Sequence, residues 1–495
     1  MRGFPSRFTP WKLTGLSAGV VVFVLLAVLD SPLKHDPAFG NRPAYAAAGA
    51  ALMAIWWITE ALPIYWTACV PLVVFPLFGV FGPGLGTNLR ESSLPYVDPY
   101  IFLFAGGMAI GAAMQQWDLH RRIALTVMSR VGTDPRHLLA GLLVATAFIS
   151  MWISNTATAA MMMPIGMALI LQIETQVGRR LAHFGMAVML AIAYGANVGG
   201  IGTKIGTAPN AQFSGFMEQH GVSISFLQFL VVGIPFVLIF LPFVWWMLWR
   251  VGRQDRLAGE VGREVVAHEL AKLGTVRRPE RIVLAVFLVT AALWVGGKWL
   301  TQLLVPLVTS FKLTSAHVEG GTAVLAALAL FVLHTGGKQV LTLPALARVP
   351  WETLLLLGGG FAMAAAIQQS GLSAYASSQL AGLRGMPPFG QVLIASLACV
   401  ALSAVASNTS TIAVMLVVLK DAVAPDAMTT ALFAATLAAS CDFALPAGTP
   451  PNAIVFGSGY VTIPRMAKTG VPLDALAAVL AAAWCYLVVR AVLGS

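Results

Sequence analysis

Apolar residues fall in blocks separated by short polar stretches, near residues 13–30, 44–62, 64–82, 100–117, 138–172, 185–216, 225–249, 281–305, 319–334, 351–370, 391–420, 428–458 and 471–492. A helix that crosses a bilayer needs about 20 residues. The 138–172 and 391–420 blocks are long for one span, and each carries a polar cluster at its middle, which predicts re-entrant hairpins. The 185–216 and 428–458 blocks are interrupted by Gly, Pro, Thr and Asn, which predicts spans broken in the middle. The expected fold class is therefore all-α integral membrane, with about 11 transmembrane helices.

Composition agrees with this pattern. The 495 residues are 58% hydrophobic and 10% charged, against about 25% charged in soluble domains. The net charge of +10 would suggest a nucleic-acid partner in a soluble protein. Here the basic residues sit between apolar blocks, so they report topology instead. Arg250, Arg253, Arg256, Arg263, Lys272, Arg277, Arg278 and Arg281 mark one cytoplasmic loop, either solvated or carrying an interfacial helix. Arg121, Arg122, Arg130 and Arg136 mark another, and Arg2, Arg7 and Lys12 place the N-terminus on the same side. Eleven crossings then leave the C-terminus outside. The first block lacks a small-residue cleavage pattern and is expected to be a true span. With no organelle-targeting segment, the expected location is a bacterial inner (plasma) membrane. Cys69, Cys399, Cys441 and Cys485 lie in or beside apolar segments without metal-ligand spacing and are expected to be buried thiols.

The chain contains an internal repeat. FLFAGGMAIGAAMQQWDL (102–119) resembles LLLGGGFAMAAAIQQSGL (355–372), an offset of 253 that persists without gaps. At that offset Gln115 and Gln116 match Gln368 and Gln369, Gly132 matches Gly385, Pro135 matches Pro388, and Ser154-Asn155-Thr156 matches Ser407-Asn408-Thr409. GTAPN (206–210) matches GTPPN (448–452) at an offset of 242. The first hairpin enters from the cytoplasmic side and its copy from the outside, so the repeat is inverted, as in secondary transporters with a site near the midplane. The expected organisation is N-terminal scaffold helices (1–99), a first repeat half (100–220), scaffold helices with the cytoplasmic loop (221–350), a second repeat half (351–460) and a C-terminal helix (461–495).

A Ser-Asn-Thr at a hairpin tip ends one helix and starts another. The ending helix leaves free carbonyls, which suit a cation. The starting helix is capped by Ser, Asn or Thr and presents N–H groups, which suit an anion. Gly-Thr-x-Pro-Asn breaks a helix because Pro removes a donor, leaving Thr207 and Asn210, or Thr449 and Asn452, to bind. Two tips and two breaks are expected to bring four positive helix ends together. A site with two related halves fits an anion with two charged ends, such as succinate or malate; citrate and sulfate remain open. No Arg sits in the motifs, so recognition is expected from helix ends and neutral donors.

At these residues the chain resembles the divalent anion/sodium symporter family of bacterial dicarboxylate carriers and mammalian sodium-coupled citrate carriers. The two Ser-Asn-Thr motifs match its hallmark, SCDFALPAGTPPNAIVFGSG (440–459) is close to its C-terminal signature except at Ala447, and WWITEALPIYWTACVPL (56–72) is similar to a family stretch. The resemblance implies a homodimer in lipid, with a fixed scaffold and a transport domain that moves as an elevator. It implies substrate contacts from Asn155, Thr156, Thr207, Asn408, Thr409, Thr449 and Pro450. If transport is sodium-coupled, it implies one Na+ site at Ser150, Ser154, Asn155 and Gly206, and another at Ser403, Ala406, Asn408 and Gly448. No other cofactor is implied.

Lys204 departs from the family, whose members usually carry a neutral residue there. Its ammonium is expected either to replace sodium, making the protein a sodium-independent dicarboxylate exchanger, or to snorkel away or pair with Asp442. Glu60 is expected to lie near a helix end and bond backbone or a neighbouring helix rather than relay protons. No paired Asp or His-rich motif points to a membrane enzyme, and inverted repeats with broken helices favour a carrier over an anion channel.

Overall fold

A computed structural model describes residues 9–131, 134–257, 263–308, 312–379 and 381–493. Gly132 of the repeat, Arg2 and Arg7 lie outside the described residues, as does part of the basic loop. Among the described residues, strand structure amounts to one two-residue pair, His334–Thr335 with Lys338–Gln339. All else is helix and connecting turn.

Among the described residues, seven helices are long and apolar enough to cross a membrane singly, or eight if the bent pair Arg278–Val295 and Gly297–Leu307 is one span. Four other apolar blocks each resolve into two helices that meet at a break. The 138–172 block is Pro135–Ser150 and Asn155–Val177, the first hairpin. The 391–420 block is Pro388–Ser403 and Asn408–Ala422, the second hairpin. The 185–216 block is Ala182–Gly200 and Ala208–Gln219, and the 428–458 block is Pro425–Ala439 and Pro450–Phe456. These are the two broken helices.

The repeat is carried into the helix boundaries. Pro99–Gln116 and Glu352–Gln369 coincide at the 253-residue offset, as do Pro135–Ser150 and Pro388–Ser403. Proline supplies the first residue of both hairpins, where its missing N–H costs nothing; Asp134 caps the first by accepting from the His137 N–H at 2.9 Å.

The broken helices form the centre. From Phe184 to Gly200 every residue is buried, as an apolar-all-round helix requires. This helix packs on both arms of the first hairpin, and Pro425–Ala439 packs on both arms of the second. Contact is close: a Cβ on Gly199 would lie 2.1 Å from the Ala147 carbonyl oxygen. By contrast Pro10–Val28 is mostly exposed and apolar.

The two basic clusters meet in space. Arg122 Nε binds Glu280 at 2.6 Å, Arg277 Nε binds the same carboxylate at 2.9 Å, and Arg121 binds Glu269 of helix Arg263–Lys272. They therefore lie at one end of the molecule. Glu60 follows helix Arg42–Ile58, exposed and at φ 46°. It sits at a helix end. The four cysteines are unpaired; Cys399, Cys441 and Cys485 are buried and Cys69 is half-buried.

Candidate functional site

Both hairpin tips and both helix breaks open onto one cavity of about 540 Å³, within the range of small-molecule sites. Asn155, Thr156, Thr207, Asn408, Thr409, Thr449 and Pro450 all line it. These residues come from four separate segments of the sequence, and the fold brings every one of them to the same wall.

Each tip is built alike. Ser150 Oγ donates to Asn155 Oδ1 at 2.7 Å, and Ser403 Oγ lies 2.7 Å from Asn408 Oδ1 and from the Ala439 carbonyl oxygen. The last residue of each incoming arm thus fixes the asparagine that starts the outgoing arm. Ser154 caps its helix by accepting from the Ala157 N–H at 3.4 Å. Of the residues considered for sodium, Ser154, Asn155, Gly206, Asn408 and Gly448 line the cavity. Ser150, Ser403 and Ala406 are buried behind it.

The breaks are also built alike, and here one expectation needs correction. Asn210 Nδ2 donates to the carbonyls of Gly200 and Thr203 at 3.0 and 2.7 Å. Asn452 Nδ2 donates to those of Asp442 and Leu445, the repeat counterparts, at 3.1 and 3.0 Å. These two side chains hold the breaks open rather than face the cavity; the threonines face it. Four helices start at the cavity: Asn155–Val177, Ala208–Gln219, Asn408–Ala422 and the seven-residue Pro450–Phe456. Their N-termini supply unpaired N–H groups and positive potential.

Lys204 does not pair with Asp442. Its Nζ binds Glu319 Oε2 at 2.7 Å, with both side chains fully buried, and stands 5.0 Å from the centroid of the Tyr100 ring. It is absent from the cavity wall.

Among the cavity residues that were not anticipated are Asn197, Arg348 and Glu352. Asn197 of the first broken helix donates to the Asp442 carbonyl and to Thr449 Oγ1, both at 3.0 Å, so one half of the repeat braces the break of the other. A lone Asn in an apolar helix was the available signal. Arg348 and Glu352 also line the cavity and are exposed. They lie outside both motifs, and nothing local marked them.

Paired helix tips around a cavity in an apolar helical body define an integral-membrane transporter. Comparison with known proteins narrows this. The chain belongs to the sodium:sulfate symporter family, whose transmembrane-region model matches residues 11–490; this is the divalent anion/sodium symporter family expected above. It is 34% identical over 496 residues to the sodium-dependent dicarboxylate transporter SdcS of Staphylococcus saprophyticus, covering 98% of this chain and 92% of that one. It is 34% identical over 500 residues to SdcS of Staphylococcus aureus USA300, covering 98% and 93%. Among solved structures, MtrF of Neisseria gonorrhoeae, from a class of antimetabolite efflux pumps, superposes with a TM-score of 0.55 at 13% identity, covering 82% of this chain and 84% of that one. That likeness is one of fold.

Proposed function

We propose that the protein is a secondary active transporter that carries four-carbon dicarboxylates such as succinate or malate together with sodium. The observation that supports this best is the meeting of two Ser-Asn-Thr tips, 253 residues apart in sequence, on one cavity. The naming of its relatives as sodium-dependent dicarboxylate transporters agrees.

The chemistry follows from the tips. Each carboxylate of the dianion takes hydrogen bonds from an Asn-Thr pair and from the N–H groups of the helix that starts there. Such charge-assisted bonds are about twice as strong as neutral ones. Sodium beside the carbonyl end of each incoming arm lowers the cost of bringing a dianion into a low-dielectric site. Both repeat halves then move as one body against the scaffold helices, the protein working as a homodimer in an inner (plasma) membrane with its N-terminus in the cytoplasm.

Sodium-independent exchange, with Lys204 as the fixed cation, is the competing reading. The Glu319 carboxylate cancels the Lys204 charge and holds it off the cavity wall, which favours symport. The test is uptake of labelled succinate into proteoliposomes, empty or preloaded with succinate, each with and without a sodium gradient. Uptake into empty vesicles only with sodium supports symport. Uptake only into preloaded vesicles, indifferent to sodium, replaces it with exchange. Failure in every condition moves the substrate to citrate or sulfate.

A further inference from the structure

The second broken helix holds a charge for which the tips and threonines give no reason. Asp442 is 1% exposed. Neither of its carboxylate oxygens has a hydrogen-bond partner, and no ion pair reaches it among the described residues. Burying a polar group without a partner is costly, and burying a carboxylate far more so. Its nearest charged influence is another acid, Asp474, whose own Oδ1 accepts from the Phe443 N–H at 2.8 Å. Among the described residues no cation compensates either acid.

The position of the carboxylate says what compensates it. A Cβ built on Gly448 would lie 1.9 Å from Asp442 Oδ2 and 2.6 Å from Oδ1. The carboxylate therefore lies directly over Gly448. The repeat supplies the comparison: Gly206 and Gly200 are the counterparts of Gly448 and Asp442. A Cβ on Gly206 would lie 2.5 Å from the Gly200 carbonyl oxygen, so a neutral oxygen covers the first half-site where a charged one covers the second. A Cβ on Gly200 would also meet Asn155 Oδ1 at 2.3 Å, so in the first half the position equivalent to Asp442 packs against the tip asparagine. Asn197 Oδ1 is likewise buried and unpartnered, and its Nδ2 lies 3.0 Å from the Asp442 carbonyl.

We propose that Asp442 is the charged ligand of a sodium ion held between the second tip and the second break, which would make this half-site unlike its neutral counterpart in the first half. Hard cations take oxygen ligands, and a divalent ion such as calcium takes six to eight of them with several carboxylates. Here no group of three or more His, Cys, Asp or Glu side chains gathers among the described residues, so one carboxylate with amide and carbonyl oxygens matches a monovalent ion. The inference rests on the sodium-coupled reading above. It predicts that the two half-sites differ in sodium affinity, with the tighter one on the Asp442 side.

The test is the thermal midpoint of the purified full-length protein in nanodiscs, titrated with sodium chloride against choline chloride at constant ionic strength, without dicarboxylate. The wild type gains stability with sodium. Asp442→Asn, which keeps the shape and loses the charge, needs at least tenfold more sodium for the same gain, and in sodium-free buffer is no less stable than the wild type. Asp442→Ala repeats the shift, so the result does not depend on one variant folding. If wild type and Asp442→Asn respond to sodium with the same midpoint, Asp442 is not a ligand, and sodium coupling itself is untouched. If the wild type does not respond to sodium, the symport reading falls and this inference falls with it.

Discussion

Lys204 and Glu319 form a fully buried ion pair, Nζ to Oε2 at 2.7 Å, that joins the break of the first broken helix to helix Ser315–Val332. Glu319 Oε1 also accepts from the Phe226 N–H at 2.7 Å, so one carboxylate ties three segments together behind the cavity wall. Removing one partner of a buried pair leaves an uncompensated charge and costs about 3–5 kcal/mol, whereas replacing both with apolar groups is often neutral. Glu319→Gln is therefore expected to lower the thermal midpoint sharply, and Lys204→Met with Glu319→Leu to recover most of it. Equal losses in the single and double variants would show that the pair contributes through hydrogen bonds rather than charge balance.

The two tips are expected to contribute equally. Asn155→Ala and Asn408→Ala each remove the acceptor of a serine hydroxyl and a donor to substrate. Each is expected to raise KM for succinate about tenfold or more, the loss of one hydrogen bond to a charged group being roughly 1.5–3 kcal/mol. A large effect at one tip and none at the other, in proteoliposome uptake, would mean that the dianion is held at one end only.

Arg348 is the cavity's exposed cation, on its rim, and its expected role is attraction of a dianion. Arg348→Gln should raise KM by roughly tenfold at low salt, with little change in kcat, and the difference should shrink as ionic strength rises. A fall in kcat at unchanged KM would instead place Arg348 in the conformational step.

Outside the membrane-spanning body, Glu269 receives hydrogen bonds from Lys272 and Arg121 that hold its carboxyl below the ordinary glutamate range. A carboxylate lowered in the folded state contributes stability that is complete above its ordinary value and is lost as pH falls through the lowered one. The thermal midpoint should therefore drop between neutral pH and about 3.5, and Glu269→Gln should start lower and drop less. Parallel curves for the two proteins would remove Glu269 from the acid response.

Much of this was legible in the chain because the repeat wrote the same polar letters twice in apolar surroundings. Ser154-Asn155-Thr156 and Ser407-Asn408-Thr409 marked helix ends, and Thr207 and Thr449 marked breaks, by local chemistry that needs no tertiary information. What escaped was long-range. Lys204 was visible as an anomaly, but its partner Glu319 lies 115 residues away on a helix with no motif. Asn210 and Asn452 were given the role of their neighbours because spacing cannot distinguish a side chain that folds back onto carbonyls from one that faces a ligand. Arg348 reaches the cavity only because the segment before Glu352–Gln369 passes its mouth.

The central claim is that one dianion bridges the two tips. The most direct measurement is an electron cryomicroscopy map of the full chain in nanodiscs with sodium and succinate, compared with one in choline without succinate. The account predicts ligand density that appears only in the first map and touches both Asn155–Thr156 and Asn408–Thr409. Density confined to one tip, or lodged at Arg348 away from both, would contradict it.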